Sequence, residues 1–225
     1  MKIALTGKWL IVLCAAASLP AADKNDKFEP GTVADYATRQ TVEQVTIAAT
    51  PYLNDSEAHR AFGKKLNPND YGLLPVLVLM RNDGKGVVSL ENAQFELVTP
   101  DRKHVTATPG QDVKYIHGAA KPKVYSGPIP GTQRTSRKKS PLDVWEIPGR
   151  AFVARMLPPG ESASGFVYFR APYRAGSSLY VTGLRNAATG QELFYFEIPL
   201  DEKDASPASQ GGAQAEGQWR KVAGQ

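Results

Sequence analysis

Cysteine is almost absent from this chain. The single Cys14 excludes an internal disulfide framework and any zinc site built from several thiolates. Histidine is scarce too, with His59, His104 and His117 making up the full set. There is no Gly-Lys-Ser/Thr loop to cradle a phosphate and no dinucleotide fingerprint. No internal repeat is detectable. No apolar run reaches the roughly 20 helical residues that a bilayer demands. Charge is only mildly one-sided, with 27 basic residues against 22 acidic ones and a formal net charge of +5. None of this names a reaction.

What is present suits a folded domain. Hydrophobic residues make up 42% of the 225 and charged residues 22%, the balance of a chain that buries a core rather than one that stays disordered. Gly 20 and Pro 17 call for many turns and short elements. Once the N-terminal targeting segment is set aside, about 200 residues remain, the size of a single domain.

That targeting segment reads as a signal peptide over residues 1–22. Lys2 and Lys8 precede the apolar run Trp9 to Leu19, and small residues Ala21 and Ala22 lead into the charged stretch Asp23 to Lys27. Cys14 lies inside the run behind Ile11-Val12-Leu13, without the small residue that a lipoprotein cleavage site places before its cysteine, so lipid anchoring there is not expected. Cleavage near Ala22 leaves a cysteine-free exported chain with no transmembrane segment, and loss of Lys2 and Lys8 lowers the net charge from +5 to +3. The location expected is extracytoplasmic, periplasmic or secreted.

Residues 23–41 read as a linker, polar around Pro30-Gly31. Residues 201–225 read as a disordered tail, because their Ser, Ala, Gln and Gly content cannot offset the entropy of ordering. The folded domain is therefore expected over 42–200.

Within it the dominant period is two. Val45, Ile47 and Ala49 alternate with Thr46 and Ala48; Phe95 and Leu97 with Gln94 and Glu96; Leu179 and Val181 with Tyr180 and Thr182. Phe166 and Tyr168 alternate with Val167 and Phe169, and Phe194, Phe196 and Ile198 with Leu193, Tyr195 and Glu197. The run Val76 to Met80 is apolar in both phases, which predicts a central strand. Turn signals stand between the runs at Asn82-Asp83-Gly84, Pro158-Pro159-Gly160 and Thr189-Gly190. One helix is predicted over 55–63, with Asn54 or Asp55 as its N-cap and Gly63 closing it. Many short strands and little helix specify an all-β antiparallel sandwich with one short helix and a long basic loop.

Two motifs carry a resemblance. Leu74-Pro75-Val76-Leu77-Val78 with Arg81-Asn82-Asp83-Gly84, and Leu157-Pro158-Pro159-Gly160-Glu161-Ser162 with Gly165-Phe166-Val167-Tyr168-Phe169, resemble uncharacterised secreted or lipid-anchored bacterial envelope proteins of immunoglobulin-like β-sandwich fold. The resemblance spans about 42–200. It implies a fold and an export route but no activity, because fold does not supply a site.

The chemistry-bearing residues form few patterns. Asp55 and His59 share a helix face at i, i+4, but no nearby His or Cys completes a metal site, so an ordinary surface histidine is the expectation. His104, in a strand beside Arg102 and Lys103, and His117, opening a Gly-rich loop, are expected to be solvated, with no carboxylate partner fixed by sequence for either. Gly160-Glu161-Ser162-Ala163-Ser164-Gly165 superficially matches a nucleophile elbow, yet Ser164 stands where that motif needs glycine and the segment precedes a strand. Asp201-Glu202 falls in the tail as a solvating pair. No metal or cofactor is expected.

The basic segment from Lys114 to Lys139 stands out. Lys114, Lys121, Lys123, Arg134, Arg137, Lys138 and Lys139 lie in it without one Asp or Glu, among Pro122, Pro128 and Pro130. Loops that long are uncommon in compact domains, and are either functional or disordered. Arg134, Arg137, Lys138 and Lys139 are the candidate binding residues, suited to an anionic glycan or a lipid headgroup, with nucleic acid disfavoured; the bland reading is a solvated loop. Tyr115 and Tyr125 would add stacking surface, and Trp145 is expected as a core plug at the loop base. Gln40 to Thr46 and Glu192 to Ile198 are candidate open edges for an envelope-protein partner. The functional expectation is an exported, non-enzymatic binding or structural module. The alternative is a hydrolase or metal-dependent enzyme whose site only the fold assembles.

Overall fold

The computed structural model describes residues 28–63, 66–116, 123–126, 133–136 and 140–201, the two short stretches 123–126 and 133–136 by backbone alone. Its elements are β1 (Arg39–Val42), β2 (Val45–Pro51), α1 (Asp55–Phe62), β3 (Leu74–Asn82), β4 (Val88–Ser89), β5 (Gln94–Val98), β6 (His104–Thr106), β7 (Lys123–Ser126), β8 (Gln133–Ser136), α2 (Glu146–Gly149), β9 (Met156–Leu157), β10 (Ser162–Phe169), β11 (Ser178–Thr182), β12 (Arg185–Asn186) and β13 (Phe196–Pro199). Two four-stranded antiparallel sheets, β1-β2-β3-β10 and β13-β11-β5-β6, make the sandwich expected from the sequence, with a small β12-β4-β9 sheet beside them.

The period-two pattern explains the packing. Val45, Ile47 and Ala49 on β2, Val76, Val78 and Met80 on β3 and Val167 and Phe169 on β10 point one way; they form a continuous core with Leu97, Leu179, Val181, Phe196 and Ile198 of the other sheet. The opposite phase of the first sheet is buried as well. Ala48, Leu77, Leu79, Phe166 and Tyr168 pack against Ala58, Ala61 and Phe62 of α1 and against Val113, Leu142 and Ile147. That second layer is why β3 is apolar in both phases. Burying each large apolar side chain stabilises the fold by roughly 1.5–3 kcal/mol, so the layer is a substantial second core.

The helix follows its sequence signals. Ala58, Ala61 and Phe62 fall at i, i+3 and i+4 on the buried side. Asn54 is the extended N-cap and Gly63 ends the helix at φ 95°, its N–H donating to the His59 carbonyl. Asp55 Oδ1 accepts from Asn67 Nδ2 at 2.6 Å, which ties the first turn to the 3-10 turn Pro68–Tyr71.

The β10 edge of the first sheet is covered. Phe152 N–H donates to Phe166 O and Phe166 N–H to Arg150 O, while Thr108 N–H donates to Tyr168 O, so the outer side of β10 is paired. Gly165 permits this approach: a Cβ there would lie 2.5 Å from Phe152 Cα, inside its backbone. On the other side, Gln40 Oε1 of β1 accepts from Glu197 N of β13 at 2.6 Å. β1 and β13 are thus the outermost strands of their sheets and are linked by this bond, whereas Val45-Thr46 belongs to the interior strand β2.

Three further expectations change. Residues 28–41 are not linker throughout: Phe28 packs edge-to-face on Tyr52 at 6.0 Å, Val33 is buried, and β1 begins at Arg39. The alternation around Phe194 does not hold as one strand, because β13 starts only at Phe196; Leu193 is buried while Phe194 is 72% exposed. At the other terminus, Asp201 accepts hydrogen bonds from Tyr173 Oη and Gly176 N, so its carboxylate is engaged rather than merely solvating.

Candidate functional site

The residues that carried the sequence resemblance meet in space. Asn82, 1% exposed at the end of β3, donates from Nδ2 to Gly86 O at 2.7 Å and to Leu157 O at 2.9 Å. Its Oδ1 accepts from Gly84 N at 2.9 Å, and its backbone carbonyl accepts from Gly160 N at 2.7 Å. Both N–H donors and one acceptor position of this amide are used, within the Asn-Asp-Gly turn and across to the Pro-Pro-Gly turn. These motifs are structural.

The candidate chemical residues are dispersed. Ser164 lies exposed within strand β10, which removes the nucleophile-elbow geometry. His59 sits on α1, and among the described residues no group of three metal-ligating side chains converges. His117 lies outside the described residues. His104 is exposed, and its Nδ1 is 2.8 Å from Glu96 Oε2 on the neighbouring strand. The register that sets Val98 opposite His104 brings Glu96, two residues along the same face, within reach, which local sequence could not reveal.

The basic segment is not one continuous loop. β7 and β8 pair antiparallel within it, Lys123 opposite Ser136 and Tyr125 opposite Arg134. Arg134 thus belongs to a hairpin strand, whereas Arg137, Lys138 and Lys139 lie outside the described residues. Neither strand, Lys-Val-Tyr-Ser nor Gln-Arg-Thr-Ser, carries an apolar alternation by which to recognise it.

Both roots of the segment converge on one groove of about 390 Å3, lined by Gly110, Gln111 and Lys114 on the entering side and by Leu142, Asp143 and Trp145 on the returning side. Val113 anchors one root and Leu142 and Ile147 the other, each fully buried in the second layer. Those residues occupy the apolar positions at the base, so Trp145 is not a core plug; it is 70% exposed. Its ring lies across Gly149, where a Cβ would stand 2.8 Å from a ring carbon. Nearby, the Lys114 ammonium sits 5.0 Å from the centre of the Tyr115 ring, which is itself half exposed. Sequence marked the charges but missed the groove, which exists only because 110–116 and 140–148 meet.

A second exposed surface covers the outer face of the β13-β11-β5-β6 sheet. With Leu97, Leu179, Val181 and Phe196 turned inward, Glu96, Tyr180 and Glu197 face outward in register, one from each of three adjacent strands. The His104 ring stands edge-on to Tyr180 at 6.1 Å and Tyr195 lies tilted against it at 5.2 Å. Partial burial, then the neighbouring Tyr195, Glu197 and Glu96, holds the Tyr180 hydroxyl above its ordinary pKa.

Among the described residues, no helix is long and apolar enough to cross a membrane. No protein-family model matches the chain, and no curated protein matches it. Solved structures with some likeness include ycdA, a candidate lipoprotein from Bacillus subtilis, at 12% identity and TM-score 0.35, covering 78% of this chain. This chain spans 40% of the length of that protein. A secreted protein from Mycobacterium tuberculosis, MPT63, shows 13% identity and TM-score 0.30 over 74% of this chain and 95% of its own. A Listeria monocytogenes protein of unknown function shows 10% identity and TM-score 0.32 over 72% and 82%. At these values the likenesses carry no argument about fold or function, and the reading of this chain rests on its own residues.

Proposed function

We propose that this chain is an exported, non-enzymatic module of immunoglobulin-like type that recognises an anionic envelope glycan through segment 114–139 and the groove at its roots. The strand order supports the fold type. If β2, β3, β5, β6, β10, β11 and β13 are taken as strands A, B, C, C′, E, F and G, the two sheets read A-B-E and G-F-C-C′. The apolar run Trp9 to Leu19 behind Lys2 and Lys8 supports export.

One observation carries the binding reading: an exposed Trp145 at the root of a segment with seven positive charges and no negative one. An indole face takes up the C–H face of a sugar ring, while Arg134, Arg137, Lys138 and Lys139 supply the attraction to its carboxylates, phosphates or sulfates. Lys114 and Asp143 both line the groove, so the groove contributes mainly ring contact and the segment contributes charge.

The test measures binding of the exported chain to an anionic glycan, a neutral glycan and anionic vesicles across a salt series. The comparisons are R134S/R137S/K138S/K139S and Trp145→Ala. Steep salt dependence for the anionic glycan should flatten in the fourfold variant. Trp145→Ala should weaken binding about 2–10-fold without changing the slope, the size of one aromatic contact. Equal glycan binding by all three proteins, or binding confined to vesicles, overturns the reading.

A further inference from the structure

The outer face of the β13-β11-β5-β6 sheet has features that the glycan reading leaves unused. It presents a carboxylate on either side of an aromatic ring, in the row Glu96, Tyr180, Glu197, extended by Tyr195, whose ring lies against that of Tyr180. Glu197 accepts one hydrogen bond, from Ser178 Oγ at 3.2 Å, and no cation among the described residues touches it. Rings set between carboxylates suit a lysine or arginine side chain, which can lie over the ring and pair with the acid at its edge.

We propose that this face docks the basic segment 114–139 of a second copy of the chain. Charge complementarity selects the occupant. The segment holds seven of the 27 basic residues; with Lys2 and Lys8 also set aside, 18 basic residues face 22 acidic ones over the rest of the chain. The roots of the segment and the acidic face lie on opposite sides of the sandwich. The segment is rooted through Val113, Leu142 and Ile147 in the layer outside the β1-β2-β3-β10 sheet, and the whole sandwich core lies between that layer and the acidic face. Because the roots lie on the far side of the core from the acidic face, the proposed contact runs head to tail between copies. This inference rests on the reading of segment 114–139 as a binding element.

Sedimentation velocity on the exported chain at low and high salt tests it, with the neutralised face variant E96Q/E197Q and the segment variant R134S/R137S/K138S/K139S. All the substituted face positions point outward, and circular dichroism checks that both variants fold. The unaltered chain should associate at low salt and dissociate at high salt. Each variant alone should associate more weakly by on the order of tenfold, the effect of one or two surface charge contacts. An equimolar mixture should recover a 1:1 dimer that grows no further, because only one complementary pair of surfaces remains. A monomeric unaltered chain, variants that associate undiminished, or a mixture that stays monomeric overturns the inference. E96Q/E197Q should still bind the anionic glycan, so loss of self-association with glycan binding intact removes this inference alone.

Discussion

Replacing Asn82 tests whether its amide is what locks the two turns together. Asn82→Ala leaves Leu157 O, Gly86 O and Gly84 N without their partner. The bond to Leu157 O is buried, and stranding that carbonyl costs about 1–3 kcal/mol. The other two bonds are only partly buried, so water can take over, and each loss costs about 0.5–1 kcal/mol. The expected destabilisation is about 2–5 kcal/mol, a fall in Tm of roughly 4–20 °C for a domain of this size. Asn82→Asp should be worse at neutral pH: it keeps the acceptor for Gly84 N but aims a carboxylate at the carbonyls of Gly86 and Leu157. Lowering the pH protonates that carboxylate and restores one donor, so the gap between the aspartate and alanine variants narrows toward acid. Urea unfolding of the three proteins at neutral and mildly acidic pH is the assay. Equal stability of Asn82→Ala and the unaltered chain, or an aspartate variant no weaker than the alanine one, refutes the reasoning.

Two other expectations follow from local geometry. Glu43 and Gln44 turn the β1–β2 hairpin with φ of 48° and 66°, a left-handed pair that costs a side-chain-bearing residue about 1–2 kcal/mol each. E43N/Q44G should raise stability by about 1–2 kcal/mol after the greater unfolded-state freedom of glycine is subtracted, measured by thermal unfolding; an unchanged or lower Tm contradicts the strain. Burial pushes the Tyr52 hydroxyl up to about 12, and burial raises Tyr168 further still. Because the folded-state value exceeds the unfolded one, this contribution is complete below about pH 10 and is lost as pH rises toward about 12. Tyr52→Phe should therefore soften the loss of stability across that alkaline window, seen by unfolding at stepped pH; a profile identical to that of the unaltered chain counts against it.

Much of the fold was legible because it depends on side-chain period. Val76 to Met80 announced a strand buried on both faces, and Asn54 with Gly63 bracketed the helix to within one residue. The segments that escaped depend on what arrives from elsewhere. A lone Trp145 does not reveal that Leu142 and Ile147 fill the space beneath it. Glu96 and His104 are eight residues apart, and only the β5–β6 register makes them a pair. At Phe194 the apolar alternation continues from Leu193, yet pairing with β11 begins only at Phe196. The groove below the basic segment was illegible for the same reason, since its two walls are separated by the very segment it supports. The composition of that segment was plain in the sequence, and the four basic candidates in it remain part of the proposed binding surface.

The way that segment is rooted also bears on how the protein can change. Val113 secures the chain before it leaves the domain and Leu142 and Ile147 secure it on return, each in the same buried layer. A protease that cut between these anchors would leave both halves fastened, and the sandwich would outlast the nick. Insertions, deletions and exchanges of charge between residues 117 and 139 leave the anchors Val113, Leu142 and Ile147 themselves unchanged. Selection can therefore rewrite the composition of this stretch, and with it the choice of ligand, while the scaffold stays fixed.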